Sequence, residues 1–139
     1  MYLLDTNVIS ELRRGERADS GIVQFLKDSD ESLYLPVQVI GELRYGVERL
    51  RRRRDTAQAQ KLEAWLNEVL DTFARRILSF DLSCAQVWGA MSAATQQSAI
   101  DKQIAAIALV HDLTVVSRNT AHFAGTGARV LNPFSGITE

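Results

Sequence analysis

The chain is poor in the residues that would tie it to several common classes. It has one cysteine, Cys84, and two histidines. An internal disulfide is therefore excluded, and the usual Cys/His zinc patterns have too few ligands. Only two prolines occur, with no Pro/Gly/Ser-rich linker and no internal repeat, so the 139 residues read as a single domain over 1–139. The longest apolar run, Ile104 to Val110, falls far short of the ~18–20 residues a membrane span needs. The start lacks a basic region followed by an apolar signal core, because Asp5 interrupts it, and a cytoplasmic protein is expected. Basic excess is missing too: the net charge is −1, so nucleic-acid contact would have to be local. The local basic run, Arg49 and Arg51 to Arg54, reads first as the solvated end of a helix, where cations face the C-terminal dipole. A phosphate- or partner-contacting patch is its alternative.

What is present is alternation. Short β-like runs recur at Tyr2 to Leu4, Leu33 to Leu35, Ile77 to Phe80, Thr114 to Val116 and Arg129 to Leu131. Helical periodicity fills the longer segments between them. Val39, Ile40, Leu43, Val47 and Leu50 mark a helix from Val37 to about Arg52, and Leu62, Trp65, Leu66, Val69 and Leu70 mark one from about Asp55 to Phe73. A third runs from Leu82 to about Gln96, and a fourth, Ile100 to about Val110, is nearly apolar and should be buried. Strands alternating with helices predict an α/β domain with a mostly parallel sheet, in which ligands gather at the carboxyl ends of strands.

Three carboxylates stand out. Asp5 follows the first strand and precedes a helix-like stretch, so it is either an N-cap or a ligand. Glu42, at roughly 100° per residue, lies about 60° from Val39 and borders the buried face of its helix, an expensive place for a charge unless something compensates. Its alternative is a solvated helix-edge residue. Gly41 and Gly46 in the same helix suggest close packing or close approach. Asp101 closes the S-x-x-D of a capping box begun by Ser98, yet the helix it opens should abut the carboxyl edge of the sheet and bring it opposite Asp5. Asp81 reads as an N-cap, Asp112 as a loop residue, and Cys84, Trp65 and Trp88 as core. An oxygen-rich cluster suits Mg²⁺ or Mn²⁺, and such an ion can activate water for attack on a phosphodiester. No G-x-G-x-x-G follows the first strand, which disfavours a dinucleotide fold, and no convincing late-strand Lys supports a phosphoacceptor domain.

"LLDTNVISELRRG", "VQVIGELRYGVERL" (Val37 to Leu50), "DKQIAAIALVHDLTVVSRNTAHF" (Asp101 to Phe123) and the closing "VLNPF" together resemble PIN-domain ribonucleases of the VapC type, particularly the FitB-like branch. The resemblance covers the whole chain in order. It implies a three-layer α/β/α sandwich with a mostly parallel five-stranded sheet. The implied activity is that of a Mg²⁺- or Mn²⁺-dependent endoribonuclease, the toxin of a type II toxin–antitoxin pair, leaving 5′-phosphate and 3′-hydroxyl ends. Asp5, Glu42 and Asp101 match the family's acidic metal-binding positions, and Thr6 the small polar residue beside the first. Ser117 and Asn119 match a polar segment after the fourth strand, where many members carry a fourth acid. This chain has "SRNTAHF" there, with His122 either a ligand or proton donor or a surface loop residue, so one ion is expected. Arg44 and Arg118 are candidate RNA-phosphate contacts, each with a surface ion pair as alternative. The implied partners are a second copy of the chain and a small DNA-binding antitoxin, through which alone operator DNA would be bound. The missing fourth acid leaves a second reading: a catalytically weakened PIN domain serving as an antitoxin-binding corepressor.

Overall fold

A computed structural model of the chain describes residues 1–94 and 99–136. Five strands, β1 (Tyr2–Leu4), β2 (Leu33–Pro36), β3 (Ile77–Leu78), β4 (Thr114–Val116) and β5 (Val130–Leu131), form one sheet in the order β3-β2-β1-β4-β5. Every pairing is parallel, including Tyr2 with Leu33 and Leu4 with Val116.

Parallel neighbours need crossovers, and the helices supply them. They are α1 (Thr6–Leu12), α2 (Ser20–Asp28), α3 (Val37–Arg52), α4 (Thr56–Thr72), α5 (Leu82–Ala94) and α6 (Ala99–His111). The four long helices match their periodicity closely. Helix α2 carries only two buried residues, Ile22 and Leu26, and begins where the Asp19 side chain accepts from the Ile22 amide; the sequence pattern did not single it out. Asp81 does cap α5, accepting from the Cys84 amide at 3.0 Å, and Asp112 sits in the loop after α6 paired with Arg129. Residues 95–98, which include Ser98 of the capping box and the expected end of the third long helix, lie outside the described residues.

Period-two alternation builds two cores, one on each side of the sheet. Leu4 and Val116 face a core with Val8, Ile22, Val39, Val47 and Leu66, drawn from α1 to α4. Their strand neighbours Leu3 and Val115 face the other, with Cys84, Ile104 and Ile107 of α5 and α6 and with Phe123. Trp65 packs at the edge of the first core and Trp88 at the edge of the second. The result is the expected α/β/α sandwich. Helix α6 is buried along Ile104 to Ala108, while Ile100 and Leu109 reach solvent. Among the described residues no helix is long and apolar enough to cross a membrane.

The strand order fixes where a site can form. From β1 the chain winds outward through β2 to β3, then returns to place β4 on the other side of β1. That reversal opens a crevice beyond the carboxyl ends of β1 and β4, the usual ligand position in open α/β sheets. Asp5 directly follows β1, and Ser117 directly follows β4.

Candidate metal centre

Asp5 is buried, and both of its carboxylate oxygens accept hydrogen bonds. Its Oδ1 accepts from the Thr6 amide at 2.8 Å, which makes it the N-cap of α1. Its Oδ2 accepts from the Ser117 hydroxyl at 2.8 Å and, more weakly, from Asn7 Nδ2 at 3.3 Å. One oxygen of the Asp5 carboxylate therefore serves the helix, and the other joins Asn7 and the segment after β4.

The polar segment after β4 is bound to the same point. Ser117 is completely buried, and its oxygen also accepts from the Asn119 amide at 3.0 Å. Asn7 ties the two chain segments together: Nδ2 donates to Ser117 Oγ at 3.1 Å, and Oδ1 accepts from the Arg118 amide at 3.0 Å. Sequence reasoning assigned Asn7 no role. The only available signal was its place two residues after Asp5, because the partners it joins are more than a hundred positions away. The Asn119 side chain is exposed, and it is the backbone of this residue that joins the network.

Glu42 and Asp101 join Asp5 in an acidic ring in the electrostatic sense only: each feels the charge of Asp5. Glu42 is more exposed than its helical position implied, yet the protein around its carboxylate raises its pKa above the usual 4.5 by desolvation. The Thr6 hydroxyl opposes that rise, while the charges of Asp5 and Asp101 add to it. Thr6 falls short of a well-formed hydrogen bond, however: its Oγ1 is buried and has no partner of good geometry among the described residues. Asp101 in the first turn of α6 also has a raised pKa, from desolvation first and the charge of Asp5 second, opposed by His122. His122 Nδ1 stands 3.1 Å from Asp101 Oδ2 with its ring largely exposed. It is a surface residue, as one reading had it, but one that touches the site.

The arginines divide. Arg118 lays its guanidinium 4.0 Å over the Phe134 ring and 3.7 Å from Glu11, with about half of its side chain in solvent. Arg44 is held by Glu63 at 2.5 Å and Glu48 at 3.6 Å, the surface ion pair that was its alternative. Arg51, within the basic run, joins the same network. The two glycines of α3 differ as well. A Cβ at Gly46 would meet Leu62 at 3.3 Å, as close packing requires, whereas Gly41 has open space around it and no packing reason to be glycine.

The chemistry of the donor set fits a hard divalent cation. All donors are oxygens, and two of the carboxylates hold protons more tightly than usual, through desolvation first and neighbouring negative charge after it. Among the described residues no three carboxylate, imidazole or thiol side chains are already gathered tightly enough to hold an ion.

The PIN domain family model matches residues 2–127. The chain belongs to the PIN-domain family. Within it, a VapC ribonuclease of Sinorhizobium fredii and the toxin FitB of Neisseria gonorrhoeae are each 34% identical to this PIN domain over 96% of its length, covering 98% and 99% of their own. The crystal structure of FitAcB from Neisseria gonorrhoeae superposes with a TM-score of 0.84 at 35% identity, covering 96% of this chain and 98% of that one. The structure of FitAB bound to a DNA fragment does so with 0.79 at 31%, covering 100% and 99%. The VapC-type, FitB-like resemblance thus holds over the full fold.

Proposed function

We propose that this PIN domain is a Mg²⁺- or Mn²⁺-dependent endoribonuclease and the toxin of a type II toxin–antitoxin pair. The observation that carries the reading is the convergence at the sheet's switch point. Asp5 is pinned by three donors, and Glu42 and Asp101 are close enough to feel its charge. The ribonuclease name of a full-length relative supports the reaction class.

In this reading Asp5, Glu42 and Asp101 hold the ion. A bound divalent cation supplies activation of water and stabilisation of charge developing on the phosphate. The chain's own residues do the rest. Ser117 and the Thr6 amide fix the Asp5 carboxylate before any ligand arrives, so its orientation costs nothing at the moment of reaction. The buried Thr6 hydroxyl stands beside Glu42 and favours its charged form. His122 steadies Asp101, and the Asn119 backbone amide braces Ser117. The exposed guanidinium of Arg118, braced on Phe134, is the phosphate contact; Arg44 would first have to leave Glu63.

The partners follow the family: a second copy, and a small antitoxin whose basic side chain would be drawn to the same carboxylates and through which operator DNA is bound. A FitAB complex with DNA is a precedent. The expected compartment is the cytoplasm. One observation favours the weaker catalyst: the segment after β4 offers Ser117, Arg118 and Asn119 where many relatives carry an acid. A corepressor that binds antitoxin without cutting RNA is the second reading.

Purified protein incubated with single-stranded and structured RNA decides between them. Cleavage that needs Mg²⁺ or Mn²⁺, stops with EDTA and is lost in Asp5→Asn and Asp101→Asn supports the enzyme. Equal products from all samples would sink the site, and no cleavage by wild type beside tight antitoxin binding would favour the corepressor.

A further inference from the structure

A cleft of about 540 Å³ opens beside the acidic ring, between α1, α3 and α4. It shares Thr6 and Glu42 with the ring and runs on to Tyr45 and Trp65, over a floor of Leu43 and Leu62. We propose that this cleft holds one nucleobase of a single-stranded RNA, stacked on Tyr45 and Trp65, next to the phosphate at the carboxylates. The inference rests on the ribonuclease reading and adds to it the part of the substrate that this chain grips.

Three observations point to a base. First, Tyr45 follows Glu42 by three residues on α3, so its ring stands one helical turn from the acidic ring, and it is 66% exposed. Among the described residues that aromatic face has no ring or cation partner, and Trp65 across the cleft is half-buried at the core's edge. Second, the rim is polar: Ser10 and Thr6 present hydroxyls, and Arg13 lies 5.9 Å from the Trp65 ring centroid with no ion pair among the described residues. A stacked base covers an aromatic face and leaves its hydrogen-bonding edge for such groups. An apolar peptide side chain would cover the same hydroxyl and guanidinium without pairing them. Third, RNA approaching three carboxylates needs positive charge alongside, and Arg13 supplies a cation at the rim of the same cleft. The base must be unstacked to enter, which selects single-stranded RNA over duplex.

Tyr45 is the residue to change, because it is exposed and its loss leaves both cores intact. In an Asp101→Asn background, where RNA stays whole, binding of a short labelled single-stranded RNA is measured by fluorescence anisotropy. Tyr45→Ala weakens it by about 5- to 150-fold, the range for removing one base–aromatic stack, and Tyr45→Phe restores it. Cleavage by otherwise wild-type protein is followed alongside. Metal-dependent cleavage with affinity unchanged in Tyr45→Ala overturns the base site and leaves the ribonuclease reading standing. Tyr45-dependent RNA binding without metal-dependent cleavage supports the base site and overturns the catalytic reading. If Tyr45→Ala spares RNA binding but weakens antitoxin binding, the proposal fails and the cleft belongs to the protein partner.

Discussion

Replacing Asn7 with alanine removes the bolt between the two strand ends that carry the site. Two well-formed hydrogen bonds are lost, Nδ2 to Ser117 Oγ at 3.1 Å and the Arg118 amide to Oδ1 at 3.0 Å, together with a longer contact to Asp5 at 3.3 Å. At about 1 kcal/mol net for each good bond, and little for the long one, Asn7→Ala should cost roughly 2 kcal/mol. For a domain of this size that is a Tm lower by roughly 6–10 °C. Asn7→Asp gives the sharper comparison. It can still accept from the Arg118 amide, but near neutral pH it sets a second negative charge against Asp5 Oδ2 where a donor stood. It should therefore be less stable than Asn7→Ala near pH 7 and recover toward it near pH 4. Urea unfolding in EDTA at both pH values measures this, since the shift appears in the midpoint at constant slope. If Asn7→Ala lies within about 0.5 kcal/mol of wild type, or Asn7→Asp shows no pH-dependent recovery, the bolt is not what joins these segments.

Two further outcomes follow from the same geometry. Glu42 and Asp101 have folded-state pKa values raised above 4.5 and 3.8, so their contribution to stability is full below those values and is lost as pH rises through the folded ones. Asp19, whose pKa is lowered by Ser135 and the Ile22 amide, works in the opposite sense and loses its contribution only as pH falls below 3.8. In EDTA, wild type should weaken as pH rises from about 4 through the raised folded-state values, and thermal melts of Glu42→Gln and Asp101→Asn should show a flatter profile; parallel profiles would contradict the raised pKa values. Gly41→Ala, with open space for the new methyl in a helix interior, should raise stability by about 0.5–1 kcal/mol in thermal melts, and a loss would show a constraint that the fold does not reveal.

Much of the architecture was legible because it depends on local periodicity. Leu3 and Leu4, or Val115 and Val116, need only alternate to serve two cores, and the stripe of Val39, Leu43 and Val47 declares α3 directly. Helix α2 was not legible: nine residues with two buried side chains carry too little pattern, and its place depends on the Asp19 cap. Of the candidate site residues, Asp5 does follow a strand and Asp101 does lie in the first turn of a largely buried helix, as their sequence contexts indicated. Glu42 bordered the apolar stripe as its angle indicated but lies more open than that angle implied, because helical geometry says nothing of how neighbouring elements cover the edge. Gly41 illustrates the same limit, since glycine in a helix signals a reason without saying whether that reason is packing. Asn7 and the bond from Ser117 to Asp5 were out of reach, because they depend on β4 returning to lie beside β1.

We expect Asp5, Glu42 and Asp101 to act as one cation site. Titration of metal-free protein with Mn²⁺, followed by calorimetry beside Asp5→Asn, Glu42→Gln and Asp101→Asn, tests it most directly. The account predicts one binding event per chain in wild type, weakened strongly by each of the three substitutions and unaffected by Asp81→Asn, which removes a carboxylate capping α5 rather than one of the site. Binding that persists unchanged in Asp5→Asn and Asp101→Asn would contradict it.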